Sequence, residues 1–323
     1  MNKKRKSVIK SNEISKMYTF CLGGVRQKVL IEGKSKELPV VITLHGGPGT
    51  PIPFSAGCRG LFPDFTDKFL MVYWDQLGCG INNSMIDDTF QISSFVDMTA
   101  DLIREIKSMF PDNRIFLFAT SWGSILSAKV LEKTEDMVDG VVVCGQIIKN
   151  VFFSQEVFDA LEKSDLPEEK LKQIKNISVE TFSTKDLQLT ATAIRKFTGG
   201  YVNKKGEKAP IGGIIWGLLT SPDYKFQDFK AIVINGYQNN VSLWKEILQL
   251  DLQETLQNVK IPYRILQGDT DIVASTWTVK EVVKTSANPY LQCQIVEHTG
   301  HIPGTEMMNQ VLQTLVEEAG NQK

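Results

Sequence analysis

Ser121 lies in the run Phe118-Ala119-Thr120-Ser121-Trp122-Gly123-Ser124, between a stretch patterned as a strand and one patterned as a helix. A serine at a sharp strand-to-helix turn can present its hydroxyl at the edge of a sheet, provided the residues two before and two after are small. Gly123 satisfies the second condition, and Ala119 adds one methyl to the first. A helix beginning at once behind the serine also turns its unpaired N–H groups and positive dipole end toward any anion formed there. Taken alone the run fits a helix-capping serine as well as it fits a nucleophile.

A serine hydroxyl is a weak nucleophile at neutral pH and needs a base, and that base needs an orienting acid. Two later loops offer them. Leu266-Gln267-Gly268-Asp269-Thr270-Asp271 follows one strand pattern, and Glu297-His298-Thr299-Gly300-His301 follows the last one. Each loop offers two candidates: Asp269 or Asp271, and His298 or His301. The chain order Ser, Asp, His fits acyl transfer, with the histidine moving the proton and the acid holding its tautomer. A third loop, His45-Gly46-Gly47-Pro48-Gly49, follows the apolar run Val40–Leu44. Its glycines allow close backbone approach to a reacting carbonyl. The N–H of Gly47, with that of Trp122, would form an oxyanion hole. We read His45 as a residue that holds this loop rather than as the base.

These loops need a scaffold. Short apolar runs at Val40–Leu44, Phe69–Trp74, Arg114–Ala119 and Val138–Cys144 alternate with helical patterns at Ile92–Phe110 and Gly123–Lys133. Such alternation implies a mostly parallel sheet buried on both faces. A hairpin, Met17–Leu22 and Arg26–Ile31 around Gly23-Gly24, precedes it. From Lys149 to Gln257 the pattern is helical and amphipathic, as in Glu168–Ile174 and Asp186–Phe197, with a polar loop at Lys204–Lys208. Strands return at Tyr263–Leu266 and Leu291–Val296, and a last helix covers Glu306–Ala319. The expected division is a core of residues 1–148 and 258–323 with a helical cap of residues 149–257 inserted before Asp271.

The set His45-Gly-Gly-Pro-Gly49, Tyr73-Trp-Asp-Gln-Leu-Gly-Cys-Gly80 and Ser121-Trp-Gly-Ser124 resembles the proline iminopeptidase group of α/β-hydrolases. The likeness runs over about Val40–Gly145 and from Ile261 to the end, and is poor across the insertion. It implies an α/β-hydrolase fold with a cap, and a catalytic triad of Ser121, Asp271 and His301. The frame Gly-x-x-Asp selects Asp271 over Asp269, and the preceding glycine selects His301 over His298. Gly47 and Trp122 would be the oxyanion donors, and Asp75 and Gln76 a structural turn beside the site. The group usually has arginine where this chain has Leu77.

The resemblance implies release of N-terminal residues from short peptides, with cap carboxylates binding the free amine. Glu246, near Trp244, is a candidate for that acid, although a solvated helix face is the favoured account of it. Trp216, in the run Ile214–Leu219, suits either the pocket wall or lid packing. A carboxylesterase or other small-molecule acyl hydrolase is the alternative. A non-catalytic binding protein would be expected to lack a triad member, and epoxide hydrolases and dehalogenases carry aspartate at the Ser121 position.

The bulk composition narrows the partners. The 323 residues are 42% hydrophobic and 23% charged, with a net charge of −1. That balance leaves no basic footprint for nucleic acid and no reason for an anionic membrane partner. No run of about 18 apolar residues spans a bilayer. Met1–Lys6 is basic and Ser7–Lys16 polar, so we expect a frayed basic tail and no secretory signal. Five scattered cysteines are expected to be buried or part-buried free thiols in a reducing, cytoplasmic setting. The three histidines sit at no ligand spacing from a cysteine pair, so neither a metal nor an organic cofactor is expected. A small peptide or acyl substrate is the expected partner.

Overall fold

The apolar runs form the strands of one sheet in a computed structural model, which describes residues 3–200, 211–234, 237 and 240–320. The strands are β1 (Ile14–Leu22), β2 (Val25–Gly33), β3 (Val40–Leu44), β4 (Leu70–Tyr73), β5 (Ile115–Thr120), β6 (Gly140–Cys144), β7 (Tyr263–Gly268) and β8 (Leu291–Val296). Their order is β1-β2-β4-β3-β5-β6-β7-β8. The β1–β2 hairpin and its junction with β4 are antiparallel. Every other neighbour pair is parallel.

Alternation along the strands divides the core in two. Ile115, Leu117 and Ala119 of β5 face one way, with Val40 and Ile42 of β3. They pack under α3 (Ile92–Met109) and α4 (Trp122–Thr134). Phe116 and Phe118 face the other way, beside Val41, Met71 and Val142. There they meet α2 (Pro63–Thr66) and α13 (Thr305–Gly320), through Phe65, Met307, Val311 and Leu315. A strand covered on both faces has no solvated side, which is why these runs read as continuously apolar.

The remaining helices are α1 (Lys3–Ser11), the set α5 (Gln155–Glu162), α6 (Glu168–Lys175), α7 (Thr184–Phe197), α8 (Ile211–Leu219), α9 (Phe226–Val233), α10 (Val241–Gln249) and α11 (Gln253–Gln257), and finally α12 (Thr276–Thr285). The set α5–α11 lies between β6 and β7 in the chain. Side chains tie it to the sheet layer. Tyr224 donates its hydroxyl hydrogen bond to the Asp75 carboxylate. Asn83 Nδ2 donates to Asp228 Oδ1 at 2.7 Å. The Lys204–Lys208 loop expected from sequence lies outside the described residues. Among the described residues, no helix is long and apolar enough to cross a membrane.

Two expectations need correction. Residues 3–11 are not a frayed tail: they form α1, and Arg5 is only 3% exposed. The Arg5 guanidinium donates to three backbone carbonyls: Nε to Arg59, Nη1 to Gly217 at 2.7 Å and Nη2 to Gly57 at 2.7 Å. A basic run reads as solvated from sequence because the carbonyls that receive it are more than fifty residues away. Of the cysteines, Cys58, Cys79 and Cys144 are buried and Cys293 half-buried, but Cys21 is exposed on the edge strand β1.

Arg5→Ala would leave those carbonyls without their charged donor, at a cost of about 2–3 kcal/mol. A clear fall in Tm is the expected outcome of thermal unfolding. An unchanged Tm would return residues 3–11 to the status of a surface tail.

Candidate active site

Ser121 links β5 to α4 in a conformation that few non-glycine residues adopt, with φ 48° and ψ −116°. Such a turn persists only when its surroundings enforce it. Here β3 and the first turn of α4 are in near contact. A Cβ at Gly123 would fall 2.0 Å from the Leu44 carbonyl oxygen, so only glycine fits. A Cβ at Gly46 would stand 3.3 Å from the Ser121 Cβ, which sets the glycine loop directly against the serine. The Ser121 N–H donates to the Cys144 carbonyl at 3.1 Å and fastens the turn to β6.

His301 and Asp271 arrive from the loops after β8 and β7. The Ser121 Oγ stands 2.9 Å from His301 Nε2, and His301 Nδ1 stands 2.9 Å from Asp271 Oδ2. Asp271 is 1% exposed, and its other oxygen accepts from the N–H groups of Val273 at 2.9 Å and Ala274 at 3.0 Å. Gln267 Nε2 reaches Asp271 Oδ2 at 3.3 Å and the Ala274 carbonyl at 2.7 Å. The carboxylate is thus held by backbone on one side and faces the imidazole on the other.

The rival residues lie elsewhere. Asp269 Oδ1 accepts from the Thr299 N–H at 3.0 Å, an ordinary turn bond. His298 is exposed, in the left-handed region with φ 61°.

The glycine loop and the serine turn share a buried polar bridge. The Gln76 side chain accepts from Trp122 Nε1 at 2.7 Å and donates to the His45 carbonyl at 3.4 Å. The Gln76 N–H donates to His45 Nε2 at 3.0 Å. The imidazole proton must therefore sit on Nδ1, which donates to the Gly46 carbonyl at 2.8 Å. Burial pushes the His45 pKa down to about 4, so the ring is neutral at physiological pH. Both ring nitrogens are engaged by Gly46 and Gln76, so His45 holds the loop. Asp75 anchors the next turn by accepting from the N–H groups of Ala56 and Ile81, both at 2.9 Å. Burial raises its pKa, opposed by these donors and by Tyr224. Leu77, where the similar group has arginine, is 2% exposed and packs in the core.

Trp122 opens α4, so its N–H belongs to the first-turn donors that lack an intrahelical acceptor. Gly47 has φ 119°, and a Cβ there would fall 2.6 Å from the Gly49 nitrogen. Gly46, Gly47, Ser121 and His301 all line one cavity of about 230 Å³. Ile52, Phe152, Ile214 and Met308 supply much of its apolar wall.

Two candidates for the substrate wall are placed differently. Trp216 is 68% exposed, whereas its neighbour Ile214 lines the cavity. Glu246 Oε2 accepts from the Ile92 N–H at 2.8 Å, where it completes the N-terminus of α3 and suits the helix dipole. Sequence reading also passed over Gln267, Thr120, Cys144 and Phe152. None of the four carries a motif signal of its own. Among the described residues, no group of three or more His, Cys, Asp or Glu side chains could hold a metal ion.

Comparison with known proteins agrees with this architecture. A family model described as the α/β hydrolase fold matches residues 39–306. A probable aminopeptidase, YbaC, of Bacillus subtilis (strain 168) is 21% identical over 321 residues, covering 95% of this chain and 96% of that protein. A proline iminopeptidase of Heyndrickxia coagulans is 28% identical over 267 residues, covering 82% and 85%. Among solved structures, VinJ superposes with a TM-score of 0.64 at 18% identity, covering 95% of this chain and 98% of that one. The proline iminopeptidase of Mycobacterium smegmatis gives 0.61 at 17%, covering 94% and 97%. A thermophilic esterase of Thermogutta terrifontis gives 0.58 at 15%, also covering 94% and 97%. At these identities the structures show a shared fold.

Neutral, buried His45 has a consequence for acid stability. Its folded pKa lies below the unfolded value near 6.5, so between those values the unfolded chain binds the extra proton. Stability then falls as pH drops from about 6.5 toward 4, by about 2–3 kcal/mol at pH 4.5. Urea unfolding at pH 7 and 4.5 should show this loss in the wild type and a smaller one in His45→Gln. Equal losses in both would assign the acid sensitivity to other groups.

Proposed function

Because the chain belongs to the α/β hydrolase fold family, we propose that Ser121, His301 and Asp271 are a catalytic triad and that the protein is a serine hydrolase working through an acyl-enzyme. The observation that carries this reading is the chain of two 2.9 Å contacts from Ser121 Oγ through His301 to the buried Asp271. His301 takes the Ser121 proton as Oγ attacks the substrate carbonyl, then gives it to the leaving group. Asp271 holds the tautomer with Nδ1 protonated and stabilises the imidazolium. The N–H groups of Gly47 and Trp122 receive the oxyanion, with the α4 dipole in support. Water then enters by the same base and releases the acid.

Within that chemistry we read the protein as an aminopeptidase that releases N-terminal residues from short peptides. The likeness to a probable aminopeptidase and to proline iminopeptidases, at 21–28% identity, supports this. We take residues 149–257 as a cap domain whose helix α8 contributes Ile214 to the substrate cavity. The five free thiols fit a reducing compartment, and we place the protein in the cytoplasm.

One observation favours a second reading, a carboxylesterase. Among the described residues the cavity wall is apolar or hydroxyl-bearing apart from His301, and Glu246 is engaged at α3. A substrate ammonium needs a carboxylate partner, whereas an uncharged acyl group does not.

A matched assay separates the two. Wild type and Ser121→Ala are compared on aminoacyl-arylamides and on short acyl esters. The aminopeptidase reading expects wild-type cleavage of the arylamides and a loss of about 10⁴-fold or more in Ser121→Ala. Ester cleavage alone would establish the second reading. Serine-independent turnover, or no labelling of Ser121 by a fluorophosphonate, would remove the triad assignment.

A further inference from the structure

Among the described residues, Ile214 is the one residue of helices α5–α11 in the wall of the Ser121 cavity. Its placement depends on how α8 is docked. Ile214 and Leu218, one turn apart on α8, share an apolar cluster with Cys58. Ile52 and Leu61 pack against the same cluster. Ile52 also lines the cavity, so this wall is continuous with the joint between α8 and the turn Ala56–Cys58.

That joint is tight. A Cβ at Gly57 would fall 2.8 Å from Leu218 Cδ2, and one at Gly217 would fall 2.4 Å from Leu61 Cδ1. Arg59 grips Asp223, just beyond α8, through Nε at 2.8 Å and Nη2 at 2.7 Å. Arg5 spans the joint from outside. Its Nη2 donates to Gly57 on the turn and its Nη1 to Gly217 on α8, both at 2.7 Å. The Gly217 carbonyl is among the last four of α8, which have no N–H donor within the helix. A cation there also suits the negative end of the helix dipole. Arg5 is the buried residue of α1, and the rest of that helix is exposed or half-buried. A helix that contributes one buried guanidinium to a contact between two other segments has little packing of its own to account for it.

We propose that Arg5 is a positioning residue for substrate binding. By tying the end of α8 to the Ala56–Cys58 turn, it keeps Ile214 and Ile52 in one apolar wall, shaped for an apolar acyl group. Small displacements of such a wall weaken the contacts of a long acyl chain and leave the reacting atoms in place. The inference rests on the reading of Ser121 as nucleophile and of its cavity as the acyl site.

The test uses two alkylphosphonofluoridates with a common alkoxy group, one carrying a methyl and the other an n-hexyl group. Each phosphonylates Ser121 with loss of fluoride, so kinact and KI are read without knowledge of the natural substrate. Wild type, Arg5→Lys and Arg5→Ala are compared well below their Tm values. Wild type is expected to favour the hexyl probe by about tenfold or more in kinact/KI, since each buried methylene adds apolar contact. Arg5→Ala is expected to raise the hexyl KI by about fivefold or more, with the methyl kinact/KI changed by less than about threefold. Arg5→Lys keeps the charge at the end of α8 and is expected to retain more of the hexyl preference. Should Arg5→Ala not fold, Arg5→Lys and Asp223→Asn, which weakens the same joint from the other side, are expected to show the hexyl loss in smaller measure.

A purely structural role for Arg5 would lower Tm or the labelled fraction for both probes alike, and that result would overturn the proposal. So would an unchanged hexyl KI, or a wild type that does not distinguish the probes. Failure of the wild type to label at Ser121 would overturn the nucleophile reading and this inference with it. Normal labelling with an unaltered hexyl preference in the variants would overturn the Arg5 assignment alone.

Discussion

The site depends on how closely the backbone of β3 approaches the first turn of α4. Any side chain at Gly123 would meet the Leu44 carbonyl at 2.0 Å, so glycine alone lets the helix begin immediately behind Ser121. That proximity forces the serine into positive φ. Strain of this kind costs of order 1–3 kcal/mol and must be over-determined by packing. Core layers on both faces of the sheet, from Phe116 and Phe118 on one side and Leu117 and Ala119 on the other, provide that packing. The same approach brings Gly46 against Ser121, so the loop that would bind an oxyanion and the group that would create it are positioned by one contact.

A second set of bonds keeps the two loops in register. Trp122 to Gln76 to His45 is a fully paired polar bridge inside an apolar surround. Buried networks rigidify when every member is satisfied. His45 is useful there because it is neutral: one ring nitrogen accepts from Gln76 and the other donates to Gly46. A charged imidazolium could only donate, and would break the bridge at Gln76. The carboxylate of Asp75, the residue before Gln76, has a comparable role: it gathers the N–H groups of Ala56 and Ile81 and the hydroxyl of Tyr224.

The helices inserted after β6 are coupled to the site through specific contacts. Tyr224 reaches Asp75, and the Gly200 carbonyl accepts from the His301 N–H at 3.2 Å. Arg5 bonds Gly57 and Gly217 together, the latter in α8, the helix that gives Ile214 to the cavity. The N-terminal segment thereby bears on the cavity wall without lining it. Leu77 marks the opposite case, a position where an apolar side chain packs in the core and its carbonyl accepts from Tyr237.

Much of this is legible in the residues themselves. Strand runs of four to six apolar residues declare themselves because a doubly covered strand must be apolar throughout, and β3 spans Val40–Leu44 as its pattern implies. Gly-rich and small-x-Ser-x-Gly loops are legible because close backbone approach admits so few residue types. Other features depend on distance in space. Asp269 and Asp271 are both turn aspartates in sequence, and only the return of the chain after β8 sets His301 beside one of them. Glu246 reads as a solvated or substrate-binding acid until α10 meets the start of α3. Arg5 reads as a tail residue because its carbonyl partners come from residues 57, 59 and 217. Sequence by itself determined which local geometries the backbone could adopt, since that is a matter of sterics and periodicity. Only the tertiary structure decided which polar groups found partners and which, like the Thr120 hydroxyl, have none among the described residues, because pairing is a property of neighbours that the chain brings together from afar.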